Sequence, residues 1–208
     1  MTCNRMRVLT LAAVFLLTAP FFAPAAKAEA PDPAVQQVQT FYDVLLDSMK
    51  HAKELGIKGR YDKLKPVIGQ TFDFPDMVRF VVGSSNWTTM PAADQQALLV
   101  AFERMTVANY ASNFNGYDGE KFVVDPATTA RGTDRVVQSK LITRDQTVPF
   151  GYRMRETGGS WKILDIYLNG YVSQLATQRS DFGATLTASG AKGLEKKINA
   201  LTDKLLAD

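Results

Sequence analysis

The 208-residue chain is 46% apolar and carries 24 basic against 21 acidic side chains, one histidine and one cysteine. Its formal charge of +3 comes from Arg5, Arg7 and Lys27, all near the start. The remaining chain is close to neutral, which removes the electrostatic argument for nucleic-acid binding.

The first 28 residues read as a cleavable signal peptide. Arg5 and Arg7 form a short positive region, Val8 to Phe22 is almost wholly apolar, and Ala26-Lys27-Ala28 precedes Glu29 as a small-residue cleavage site. The apolar run of about 15 residues contains Pro20, whereas a membrane-spanning helix needs roughly 20 residues. Cleavage also removes Cys3, the only thiol. Residues 29–208 are then expected to form a single domain without a disulfide, held by its core alone.

Asp32-Pro33 is a helix start, a capping side chain followed by proline in the first turn. Val35, Val38, Tyr42, Leu45 and Met49 follow as one apolar stripe. Gly56 and Gly59 are expected to end this helix, and a short second one is expected from Tyr61 to Ile68. Asp73 caps a third helix, with Met77, Phe80 and Val81 facing inward and Gly83 as its stop. A long amphipathic helix opens after Pro91, with Leu98, Phe102, Met105 and Asn109 along one side, and stops by Gly116.

The period then changes. Lys121–Asp125, Arg135–Thr143, Gln146–Arg155 and Ser160–Leu168 are rich in β-branched and aromatic residues and separated by turn chemistry. Short connections predict an antiparallel meander of about four strands. After Asn169-Gly170 the helical period returns, with Tyr171, Leu175, Phe182 and Leu186 in one stripe. Gly190 breaks it, and Leu194, Ile198, Leu201 and Leu205 form a second. The predicted class is α+β, a curved antiparallel sheet covered on one face by N- and C-terminal helices.

Candidates for catalysis are few. His51 lies on the polar side of helix one between Lys50 and Lys53. No serine stands in a G-x-S-x-G turn. Without cysteine, and with one histidine, a metal site would have to be all oxygen. Asp43 and Asp47, four apart on a helix, are read as a solvated acidic face. No metal, cofactor or catalytic residue is therefore assigned. What stands out is a large inventory of aromatic residues and methionine, including Phe102, Met105, Tyr110, Phe114, Tyr152, Met154 and Phe182. Such side chains build ordinary cores, and they also line adaptable walls for apolar ligands.

One stretch carries a family resemblance. Trp161-Lys162-Ile163-Leu164-Asp165-Ile166-Tyr167-Leu168-Asn169-Gly170 is followed by Ser173-Gln174-Leu175-Ala176 and Arg179-Ser180-Asp181-Phe182. This resembles the end of the MlaC / toluene-tolerance family of periplasmic phospholipid-binding proteins. The variant here is similar to its hopanoid-associated HpnM branch. Phe72-Asp73 before a helix ending in Gly83, Trp87 ahead of Asp94-Gln95-Gln96, and Phe102 and Tyr110 extend the match over nearly all of residues 29–208. Tyr171 departs from the pattern, which has a small or apolar residue there.

The resemblance implies a soluble periplasmic carrier, with the sheet and helices enclosing an apolar cavity for lipid. It would hold hopanoid or phospholipid and shuttle it, as a monomer, through transient contacts with an inner-membrane transporter and outer-membrane complexes. Phe80, Trp87, Phe102, Met105, Tyr152, Met154, Ile163 and Tyr171 are the expected wall residues. Arg179 is expected to hold a head group, dock a partner or pair within its own helix. Two other readings stay open. One is an isomerase- or dehydratase-like enzyme using Asp165 and Tyr167, placed by strand parity on the face of Trp161 and Ile163. The other is an adaptor with a filled interior.

Overall fold

The structure, a computed structural model, describes residues 30–207. The expected signal peptide lies outside the described residues. Helix α1 (Pro33–Lys50) begins as its sequence dictates: Asp32 accepts a hydrogen bond from the Ala34 amide at 2.9 Å and Pro33 occupies the first turn. Its apolar stripe is buried, and Phe41 joins it.

The next boundary corrects the sequence reading. α1 stops at Lys50, and α2 (Ala52–Thr71) starts directly after His51. Gly56 marks a kink inside α2, at φ 58° and ψ −177°, a conformation open essentially to glycine alone. Asp73 then caps α3 (Phe74–Val82) by accepting from the Asp76 amide at 3.2 Å, and Gly83 ends it at φ 85°. A single-turn helix α4 (Ser84–Thr89), absent from the sequence reading, carries Trp87. α5 (Ala92–Asn113) follows.

The sheet has five antiparallel strands in sequence order: β1 (Lys121–Arg131), β2 (Asp134–Ile142), β3 (Thr147–Thr157), β4 (Ser160–Leu168) and a two-residue β5 (Val172–Ser173). β5 adds to the four expected strands. The last helix, α6 (Gln174–Ala207), turns at Gly190, φ 63° and ψ −166°. Among the described residues no helix is long and apolar enough to cross a membrane.

Two irregularities shape the sheet. The β1–β2 register shifts between Val124 and Thr128. In the β3–β4 pair Arg153 faces Asp165 and Met154 faces Ile163, so Leu164 is an extra residue. Such a bulge bends a strand and reverses the faces of everything beyond it. Ile166 therefore pairs with Tyr152 and Leu168 with Phe150, sharing the covered face with Ile163. Asp165 and Tyr167 turn to the opposite face. This overturns the expectation that Asp165 and Tyr167 lie with Ile163.

The helices cover the face that carries Val137, Tyr152, Met154 and Ile163, all at most 2% exposed. α1 is tied across it by Tyr42, which shares a 2.7 Å hydrogen bond with Ser139 on β2. At the β4 edge, Phe72 forms a parallel bridge with Ile163, and the Asp73 amide donates to the Ile163 carbonyl at 2.9 Å. On the far face Asp134, 2% exposed, accepts from Arg153 and Arg155. Burial raises the Asp134 pKa, but the hydrogen bonds and charges of Arg155 and Arg153 outweigh it and hold the carboxyl below its usual range.

Candidate functional site

A cavity of about 450 Å³ lies between the C-terminal half of α5, strands β3 and β4, and the first turns of α6. Its size falls in the ordinary range for ligand pockets. The sheet supplies Phe150, Ile166 and Leu168, and the two residues from β4 face inward only because of the Leu164 bulge. α5 adds Met105, Tyr110 and Phe114, and α6 adds Phe182. Three- and four-residue steps put residues on one helix side, as with Tyr110 and Phe114.

The same steps bring polar residues to the rim: Thr106, Asn109 and Asn113 from α5, and Gln174, Thr177, Gln178 and Asp181 from α6. The site thus pairs an apolar interior with a rim of amides, hydroxyls and one carboxylate, the arrangement an amphiphile needs.

Behind the apolar wall lies a packed aromatic layer. Tyr110 meets Phe41 edge-on at 5.1 Å and stacks on Phe114 at 5.6 Å. Phe150 stacks on Tyr152 at 6.4 Å. Tyr42 donates to the Tyr152 hydroxyl at 2.8 Å. Burial pushes the Tyr42 hydroxyl up to about 12. It raises Tyr110 and Tyr152 as well, so this layer is uncharged at neutral pH.

The expected wall residues separate into three groups. Met105 lines the cavity. Phe102, Tyr152, Met154 and Ile163 are core residues, at most 2% exposed. Two of them back the wall, Phe102 against Phe182 at 5.7 Å and Tyr152 against Phe150. Phe80, Trp87, Tyr171 and Arg179 are not among the lining residues. Phe80 is 44% and Tyr171 79% exposed, because Phe80 lies on the outer side of α3 and Tyr171 in the turn between β4 and β5. Trp87 packs partly buried against the core from α4.

Arg179 fastens helices together. It donates to the Phe80 carbonyl at 2.8 Å, and its guanidinium lies 5.4 Å from the centre of the Phe80 ring. That carbonyl is in the last turn of α3, where a cation also suits the helix dipole.

Phe150, Ile166 and Leu168 were missed as site residues, since their facing depends on strand pairing. Asn109 carried a legible signal, a polar residue in the apolar stripe of α5.

The enzyme candidates have structural partners. Asp165 Oδ1 accepts from the amides of Ile166 (2.8 Å) and Leu175 (3.1 Å), and Oδ2 accepts from the Ser173 hydroxyl at 2.6 Å. The Tyr167 hydroxyl accepts from Arg131 at 2.6 Å. Asp47 pairs with Lys63 and His51, and Asp43 accepts from Gln39.

Residues 39–202 match the family model described as MlaC protein. The chain belongs to the MlaC family. Among solved structures, a phospholipid-binding protein from Ralstonia solanacearum, determined in complex with a phospholipid, is 21% identical to this MlaC family member. The alignment covers 84% of this chain and 99% of that chain with a TM-score of 0.72, a likeness that establishes the fold. No curated protein matches.

Proposed function

We propose that this MlaC family member is a periplasmic lipid-binding protein that takes the acyl chains of a phospholipid into the cavity between α5, the sheet and α6. The observation that carries the reading is the cavity itself, apolar inside and polar at its rim. Family membership and the phospholipid held by the Ralstonia protein of the same fold support it.

The energetics suit the role. Burial is worth about 0.8 kcal/mol per methylene, so a 16-carbon chain forfeits on the order of 12 kcal/mol in water. An apolar wall offsets that without catalytic groups. Near-neutral charge over residues 29–208 also limits adhesion to anionic membranes, about 1 kcal/mol per nearby basic residue.

The finer reading is a monomeric carrier that reaches the periplasm by its signal peptide. It meets inner- and outer-membrane complexes transiently, with hopanoid as the alternative cargo. Purification from a periplasmic fraction under mild conditions, lipid extraction and mass spectrometry test it. The expected result is about one lipid per chain, phospholipid or hopanoid. Protein that carries no lipid and takes up neither from vesicles contradicts the proposal.

A further inference from the structure

The lipid-binding reading leaves open which head group stands at the cavity rim, and the rim's hydrogen-bonding inventory bears on that. Three of its side chains each donate one hydrogen bond to the main-chain carbonyl four residues earlier. The Thr106 hydroxyl donates to the Phe102 carbonyl at 2.9 Å, the Asn109 amide to the Met105 carbonyl at 3.0 Å, and the Thr177 hydroxyl to the Ser173 carbonyl at 3.0 Å. Their oxygens keep free lone pairs. Gln178 Oε1 is buried and, among the described residues, has no hydrogen-bond partner.

The charge inventory points the same way. Among the described residues, Asp181 is the only charged one lining the cavity. Among the described residues its carboxylate forms no salt bridge. No lysine, arginine or histidine lines the cavity among the described residues.

The N-terminus of α6, the usual alternative for an anion, is already occupied. The Leu175 amide donates to Asp165 and the Ala176 amide to the Ser173 hydroxyl at 3.0 Å. Lys197 stands beside the rim, but its ammonium donates to the Asp181 main-chain carbonyl (3.0 Å) and the Thr185 hydroxyl (3.1 Å) and lies 5.5 Å from the centre of the Phe182 ring.

We infer that the rim selects lipids whose head group carries an ammonium, and disfavours head groups with net negative charge. The inference rests on the lipid-binding reading. In it, Asp181 faces the ammonium, and Asn109 Oδ1 accepts from its N–H groups. The phosphate stays towards water.

The test is uptake from vesicles holding equal amounts of phosphatidylethanolamine, phosphatidylcholine and phosphatidylglycerol with matched acyl chains. Bound lipid is quantified by mass spectrometry. The wild-type chain is expected to take phosphatidylethanolamine over phosphatidylglycerol by about three- to fivefold, the size of one exposed charge contact. Asp181→Asn should bring that ratio close to one. Lys197→Met should leave the preference for ethanolamine in place.

Equal uptake by the wild-type chain overturns the inference alone. So does an unaltered ratio in Asp181→Asn, or a selective loss of phosphatidylglycerol in Lys197→Met. Absence of bound lipid from all three sources overturns the lipid-binding reading together with it.

Discussion

The Leu175 amide donates a 3.1 Å hydrogen bond to Asp165 Oδ1, fastening the start of α6 to the strand that precedes it. Asp165 also takes the Ser173 hydroxyl at 2.6 Å, so the β4–β5–α6 corner closes on one carboxylate. This corner sets where α6 crosses the cavity. Asp165→Ala takes the carboxylate from three buried or half-buried donors, Ile166, Ser173 and Leu175, and should cost about 1–3 kcal/mol. Urea unfolding of the lipid-free chain measures it. A loss below 0.5 kcal/mol, the range of ordinary surface substitutions, would contradict the assigned role.

The Asp134 cluster predicts acid sensitivity. Its carboxyl is held below the usual range by Arg155 and Arg153 against the pull of burial. A depressed folded pKa means that the stabilisation is present above the ordinary value of 3.8 and is lost as pH falls through the lower folded value. Asp134→Asn should cost about 1–2 kcal/mol at neutral pH, less than for a fully buried pair because both arginines are about one-third exposed. It should also flatten the stability profile below pH 4. Denaturant midpoints across pH for the two proteins check both points.

The tyrosines predict the opposite limb. Burial raises the Tyr42 hydroxyl to about 12 from its ordinary value of 10. A raised folded pKa gives stability that is complete below about pH 10 and lost as pH climbs towards 12. A tyrosinate titration should show Tyr42, Tyr110 and Tyr152 ionising only with unfolding. Tyr42→Phe removes the partner of Ser139 and Tyr152 and should destabilise by about 1–2 kcal/mol.

Cavity and surface residues should part company in a lipid-loading assay. Leu168→Trp fills space between the sheet and α6 and should lower bound lipid at least several-fold. Tyr171→Ser, at a 79% exposed turn residue, should change stability by less than about 0.5 kcal/mol and leave bound lipid unaltered. Equal loss of lipid in both variants would show that the cavity is not the binding site.

Much of the fold was legible from particular residues. Asp32 and Asp73 cap the helices they were expected to cap, Gly83 and Gly190 stand at the expected breaks, and the stripes of α1 and α5 are buried. The α1–α2 boundary was not, because an apolar period says nothing about a one-residue turn at His51.

The site was less legible. Strand parity read from Ile163 misplaces Asp165 and Tyr167, since the bulge at Leu164 comes from pairing with β3, a long-range event marked by no glycine or proline. Ile166 and Leu168 are cavity residues for the same reason. Phe80 and Tyr171 looked like wall residues by type, yet aromatic identity does not report facing. Gln178 was not singled out in the sequence, since only the approach of the sheet turns that position into a wall.

The most direct test of the central claim uses a phospholipid with a photoactivatable group near the end of one acyl chain. After loading and irradiation, peptide mapping locates the crosslinks. Binding in the cavity predicts adducts on Ile166, Leu168, Tyr110 and Phe182. Adducts confined to Phe80, Trp87 or Tyr171, or none in a chain shown to be folded, would contradict it.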